Sequence, residues 1–399
     1  MAASSRKMDR RMVNKKNGLT IKLYVILILL PLSVYGRVLS VGPGKPFPIP
    51  SMAAEFANDG DIIEIDANGN YENDFAIWKQ NNLTITGING KPHINVTKLS
   101  PNKKGVWVFK GNDAHVSNIE ISGAKVNDKN GAALRIEGNN FQINDCYIHH
   151  NENGILTANK QPNSTVIIER CEFAFNGYGK GYTHNIYIGS IGKFILSESY
   201  THDANKGHTI KSRARENYIL YNRIIEGKAS YGIDLPNGGY AIVMGNILHQ
   251  DDRTDNWAML SFGQEKYKHK DNNLEVVYNT FVNERTSSLF VNARKGGKVT
   301  ITNNLFSGNG EIIKGMENID NNFHKEDLVV KLDKNVALIN PKYLPSILDK
   351  AVDVYDFRNK ILVPKKQFDS NGIVKRPLQG NRYDLGAYEY PASILDILQ

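Results

Sequence analysis

Cysteine is almost missing from this chain: two residues in 399, Cys146 and Cys171. A disulfide-stapled scaffold is therefore excluded, and the fold must rest on its own core, for which 41% hydrophobic residues are ample. No bilayer-spanning run is evident either. The apolar stretch Leu23 to Leu32 has about ten residues, too few for a transmembrane helix. It follows Arg6, Lys7, Arg10, Arg11, Lys15, Lys16 and Lys22 and precedes the small residues Val34 and Gly36. That order predicts a secretory signal over residues 1–36 and a mature protein that is secreted or periplasmic, without stable membrane insertion. The mature chain also lacks a charge excess. Removing the leader leaves 42 Lys/Arg against 40 Asp/Glu, so the sequence pI of about 9.1 is a leader effect and nucleic acid is not an expected partner. Two patterns are absent as well. The middle of the chain has no 3.6-residue periodicity, which excludes helical repeats, and no regular hairpin signals, which argues against a sandwich.

What the chain has is a degenerate repeat. VSNIEI (116–121), INDCYI (143–148), IERCEF (168–173), LSESYT (196–201), LYNRII (220–225), VMGNIL (243–248), VYNTFV (277–282) and ITNNLF (301–306) stack as apolar–polar–apolar segments at intervals of about 23 to 33 residues. Second short strands lie between them: AALRIE, HNIYIG, HTIKSR, YGIDLP, AMLSFG and SLFVNA. Short strands joined by Asn- and Gly-rich corners predict an all-β, right-handed parallel β-helix, in which each coil buries its apolar edge on the next. One domain over 37–390 is expected, with the functional coils at about 131–300, an irregular C-terminal cap at about 315–390 and a tail at 391–399. The segment from Pro50 is a candidate helical cap over the first coil, ahead of the strand Asp61-Ile-Ile-Glu-Ile. The 25-residue spacing of Cys146 and Cys171 predicts equivalent positions on neighbouring coils, with a bridge between them left open.

The body, roughly residues 40–390, resembles the pectate-lyase-like superfamily of β-helix carbohydrate-active proteins. The segment Asp369 to Tyr390 (DSNGIVKRPLQGNRYDLGAYEY) resembles a closing motif common in bacterial members.

Stacking the second strands sends Ile186, Ile210 and Ile233 inward and Tyr187, Lys211 and Asp234 outward, with Ser261 next in the column. Asn185 and Arg213 share the outward parity, and His184 and His208 enter their strands one coil apart. The expected catalytic group is thus His184, Tyr187, His208, Lys211 and Arg213. Arg135, Asn185, Arg215, Asp234, Asn237, Ser261, Glu265 and Arg294 are the expected substrate contacts. A stripe of these residue types suits a linear acidic glycan. Abstraction of the uronate C5 proton needs a base, cations on the carboxylate and an acid for the leaving oxygen. Lys211 can be that base where neighbouring cations disfavour its charge, a role expected of Arg213 and the histidines.

The run from Lys211 (KSRARENYI) resembles the catalytic-lysine strand of chondroitinase B and its alginate-lyase relatives, which implies Lys211 as base. The family's partner arginine is replaced by Asp234, and its calcium ligands by Asn205 and Lys206, so no cofactor is expected and calcium is disfavoured. His184-Asn-Ile-Tyr-Ile-Gly-Ser resembles a polygalacturonase strand, but only Asp145, Glu152, Glu169 and Glu172 lie where that family's acids would be. The expected function is a polysaccharide lyase acting by β-elimination on an uronate-containing polysaccharide, as a monomer. The alternatives are a C5-epimerase, a glycoside hydrolase and a non-catalytic glycan-binding or adhesion module.

Overall fold

A computed structural model describes residues 36–390 apart from 159, 315–317, 333–336 and 370–371; all but the last residue of the expected leader, and the tail, lie outside the described residues. The chain winds into a parallel β-solenoid of about 11 turns. Three parallel sheets form its walls. Sheet A has 12 strands, from Val38–Val41 to Asn318–Asp320. Sheet B has 10, from Ala76–Trp78 to Glu311–Lys314, and sheet C has 10, from His93–Asn95 to Phe323–Lys325. The repeat dictates this. In sheet A the register runs Ile63, Ile85, Val116, Ile143, Ile168, Leu196, Ile219, Val243, Val276 and Ile301, every one fully buried, so each coil completes the core of its neighbour.

Two segments slip by one residue from the sequence alignment. Ile219 and Val276, not Leu220 and Val277, point inward. The cause is the C-terminal segment, which runs back along the outer face of sheet A and gives that face its own apolar side. Tyr221, Ile242, Met244, Val277 and Tyr278 pack there with Leu344, Ile347, Val354, Leu362 and Leu385. Arg358 bridges to Glu216 at 2.8 Å, Phe357 N–H donates to Glu275 at 3.0 Å, and Lys366 pairs with Glu198. The segment expected only to close the end therefore also sheathes a flank.

At the corner after sheet A, the two cysteines occupy one column, and both are free thiols. Ile119 N–H donates to the Cys146 sulfur and Cys171 N–H to Ser199 Oγ. Asparagines continue the column: Ser199 to Asn222, then Asn246, Asn279, Asn304 and Asn322, with backbone N–H to Oδ1 distances of 2.8–3.0 Å. The residue before each rung is left-handed, including Tyr221 and Tyr278. The helix Pro50–Phe56 forms where expected, but a strand precedes it: Val38–Val41 pairs with Ile62–Asp66, so the solenoid starts before the helix.

The closing motif is built around Arg376, whose buried guanidinium pairs with Glu389 and donates to the carbonyls of Asp384, Gly386 and Tyr388. Glu389→Ala strands that charge in the interior. It should cost about 3–5 kcal/mol, measured as a fall in the urea midpoint at constant slope; a loss below about 1 kcal/mol would make the pair dispensable.

Candidate functional site

The outward column of sheet B carries the site. Its register runs Arg135, Leu156, Tyr187, Lys211, Asp234, Ser261 and Asn292, because residues two apart share a face and the coils stack in register. Arg135, Tyr187, Lys211, Arg213, His184 and Glu265 line a cleft of about 720 Å³. Residues 128–130 and the stretch Tyr178 to Thr183 wall it.

Its centre is a charged network. Lys211 Nζ lies 3.0 Å from Asp234 and 3.4 Å from Glu265. Arg213 holds Glu265 with both Nη atoms, at 2.6 and 2.7 Å, and donates to Asn237 Oδ1 at 3.0 Å and, through Nε, to the Tyr187 oxygen at 3.1 Å. The Glu265 bond outweighs burial and raises Arg213 further, so it stays a guanidinium. Arg213 in turn lowers the Glu265 carboxyl. Burial alone would raise Asp234, but the bond from His208 and the charges of His208 and Lys211 win, leaving it at about 2.

The histidines stand behind. His184 is 3% exposed, and its ring stacks on Tyr187 at 13° and 5.3 Å. Its Nδ1 accepts the His208 backbone N–H at 2.9 Å, so a neutral ring carries its proton on Nε2. Burial first, then His208 and Lys211, push its pKa well below the ordinary value. His208 puts Nε2 3.1 Å from Asp234, and its Nδ1 is buried.

Several expected contacts need correction. Asn185 is fully buried and caps a corner ladder through Asn176, Thr201 and the carbonyls of Phe173 and His202. It precedes the strand Ile186–Ile188, where the alternation does not hold. Ser261 is in the right column but fully buried, so it cannot meet a glycan. Asp234 and Asn237 are buried too, and position Lys211 and Arg213 rather than substrate. His208 likewise has no nitrogen open to a substrate and acts through Asp234. Arg215 turns away to the Pro162 carbonyl. Arg294 lies further along sheet B, beside Lys295 and Lys314. Lys211 pairs with two carboxylates, Asp234 and Glu265, which it shares with His208 and Arg213. The polygalacturonase-like acids lie elsewhere: Glu152 is buried under Val126 and Gly131, Asp145 pairs with Arg170, and Glu172 with His202.

The sequence reading missed Tyr178 and Tyr182. Both are exposed, Tyr182 to 84%, in the loop Gly177-Tyr-Gly-Lys-Gly-Tyr-Thr183. Aromatics interleaved with glycine were the available signal.

The pectate lyase Pel9A structure superposes on this chain with a TM-score of 0.52 at 12% identity, over 89% of this chain and 96% of that one. The fold is that of a pectate-lyase-like β-helix. ORF18 of Geobacillus virus E2 matches more loosely, with a TM-score of 0.45 and 15% identity over 80% of this chain and 61% of that one. No family model matches the chain, and no curated protein does.

Proposed function

We propose that this β-helix is a polysaccharide lyase that cleaves an uronate-containing polysaccharide outside the cytoplasm by β-elimination. The observation that carries the reading is the convergence of Arg213 and Lys211 on one carboxylate, Glu265, beside the Tyr187 phenol. A uronate carboxylate replacing Glu265 on that fork is neutralised by guanidinium and ammonium, which acidifies the adjacent C5–H. The Tyr187 oxygen, in its basic form and 3.1 Å from Arg213 Nε, takes the C5 proton. The C4–C5 double bond forms as the C4–O4 bond breaks, and the same proton passes from the phenol to O4. Lys211 supports the substrate carboxylate instead of acting as the base, since Asp234 and Glu265 engage its Nζ at 3.0 and 3.4 Å. His184 orients the Tyr187 ring. Tyr178 and Tyr182 supply sugar platforms, and Arg294, Lys295 and Lys314 extend a basic track along sheet B for an acidic chain.

Hydrolysis fits poorly. It needs one carboxylic acid kept protonated, whereas Asp234 and Glu265 are both held below the usual range. The deciding experiment incubates the protein with a panel of uronate polysaccharides. Ultraviolet absorbance of an unsaturated product is expected. New reducing ends without that absorbance would make it a hydrolase, C5 deuterium exchange without cleavage an epimerase, and binding alone a glycan-binding module.

Two further outcomes follow from the cleft. Calcium should not be required: the Asn205 amide donates to the Phe175 carbonyl and Lys206 pairs with Asp255. Turnover of dialysed protein should not change on adding calcium chloride, and a several-fold rise would refute this. Glu265 occupies the place of a substrate carboxylate, so Glu265→Gln should lower KM by about 2- to 10-fold, modest because this carboxylate is half exposed. A raised KM would mean instead that Glu265 positions Arg213.

A further inference from the structure

Sheet C carries a second cluster of chemistry, away from the sheet B column. His93, Glu120 and His149 sit on the successive strands His93–Asn95, Glu120–Ser122 and Tyr147–His149. His149 Nε2 stands 3.0 Å and His93 Nδ1 3.6 Å from the same oxygen, Glu120 Oε1. All three ligand atoms lie within 4.8 Å of one another.

The hydrogen bonds around the cluster settle which way one ring faces. The Ser122 hydroxyl donates its only proton to Asn95 Oδ1 at 3.2 Å. The 2.8 Å bond between His93 and Ser122 is therefore donated by His93 Nε2–H. A neutral His93 thus turns the Nδ1 lone pair toward Glu120, across a gap too long for a hydrogen bond. His149 is held from behind as well, its Nδ1 2.7 Å from His150 Nδ1. Each ring is thus anchored by its outer nitrogen while its inner nitrogen faces one carboxylate, the arrangement that orients metal-binding imidazoles. The two inner separations bracket the roughly 3.3 Å between donors of a tetrahedron with zinc–nitrogen and zinc–oxygen bonds of about 2.0 Å.

The next histidine on the same face is a built-in contrast. His202 aligns with His149 through Ala174. It has a carboxylate on each nitrogen, Asp203 at 2.8 Å and Glu172 at 3.1 Å, and these outweigh burial to raise its pKa. Both carboxylates favour its charged form, and among the described residues no group of three metal-type ligands includes it.

We propose that His93 Nδ1, Glu120 Oε1 and His149 Nε2 form a site for a divalent transition metal of zinc type that ties three successive coils together. Two imidazoles and a carboxylate suit zinc, cobalt or nickel and not calcium. The side chains are 39%, 25% and 13% exposed, which leaves water a place on the metal.

The test is a calorimetric titration of tag-free, chelator-stripped protein with zinc chloride, repeated with cobalt(II) and read by visible absorbance. One zinc per chain at micromolar or tighter affinity is expected, with a rise in Tm. His93→Ala and His149→Ala should each weaken binding by at least about tenfold and remove the Tm rise, while His202→Ala changes neither. His93 is the more exposed ring, so His93→Ala carries the test if His149→Ala does not fold. Absence of stoichiometric binding, or binding that survives His93→Ala, would overturn the proposal and leave the cluster as histidine–glutamate pairing.

Discussion

Tyr187→Phe is expected to lower kcat by about 10²- to 10⁴-fold, the usual worth of a positioned acid–base group, with KM little changed. The side chain is half-buried and outward-facing, and removing its oxygen leaves the stacking with His184 in place. Folding should therefore hold, checked by circular dichroism and Tm. Lys211→Arg separates the two possible bases. If Lys211 acts as a cation, arginine keeps a charge between Asp234 and Glu265, and turnover should fall by no more than about tenfold. If Lys211 takes the proton, Lys211→Arg is inactive and Tyr187→Phe retains turnover. That pair of results would sink the assignment.

The second large effect belongs to Arg213. Arg213→Lys should cost about 10²- to 10³-fold in kcat, comparable to removing a donor from a developing oxyanion. The fork that meets both Glu265 oxygens while Nε reaches Tyr187 requires a planar guanidinium, and an ammonium offers one point of charge. The loss should appear in turnover more than in binding, because the carboxylate carries most charge in the enolate-like transition state. A kcat within a few-fold of wild type, measured on the polysaccharide that gives the unsaturated product, would move the clamp away from Arg213.

Much of the scaffold was legible. Val116, Ile143, Ile168 and Leu196 recur because every coil must present an apolar edge to the next, and such a repeat needs no knowledge of distant contacts. The slip at Leu220 and Val277 shows the limit. Those coils are apolar on both faces, since the chain from residue 344 to 385 covers the outside, and apolarity alone cannot then tell inward from outward. Within a strand, alternation placed Tyr187, Lys211 and Asp234 in one outward column. At Asn185, one residue before its strand, the corner had replaced the alternation and turned the amide into the interior.

Where the outer face is polar, stacking register and side-chain direction within a strand depend on local period, so the linear order of residues was enough for them there. The roles within the cleft depend on charge, and charge acts through distances between groups far apart in the chain. Asp234 reaches Lys211 from the next coil, and Glu265 arrives on a loop 54 residues away to hold Lys211 and 52 away to hold Arg213. Read from the sequence, Lys211 stood among Arg213 and the histidines; the folded protein also brings Asp234 and Glu265 to its Nζ.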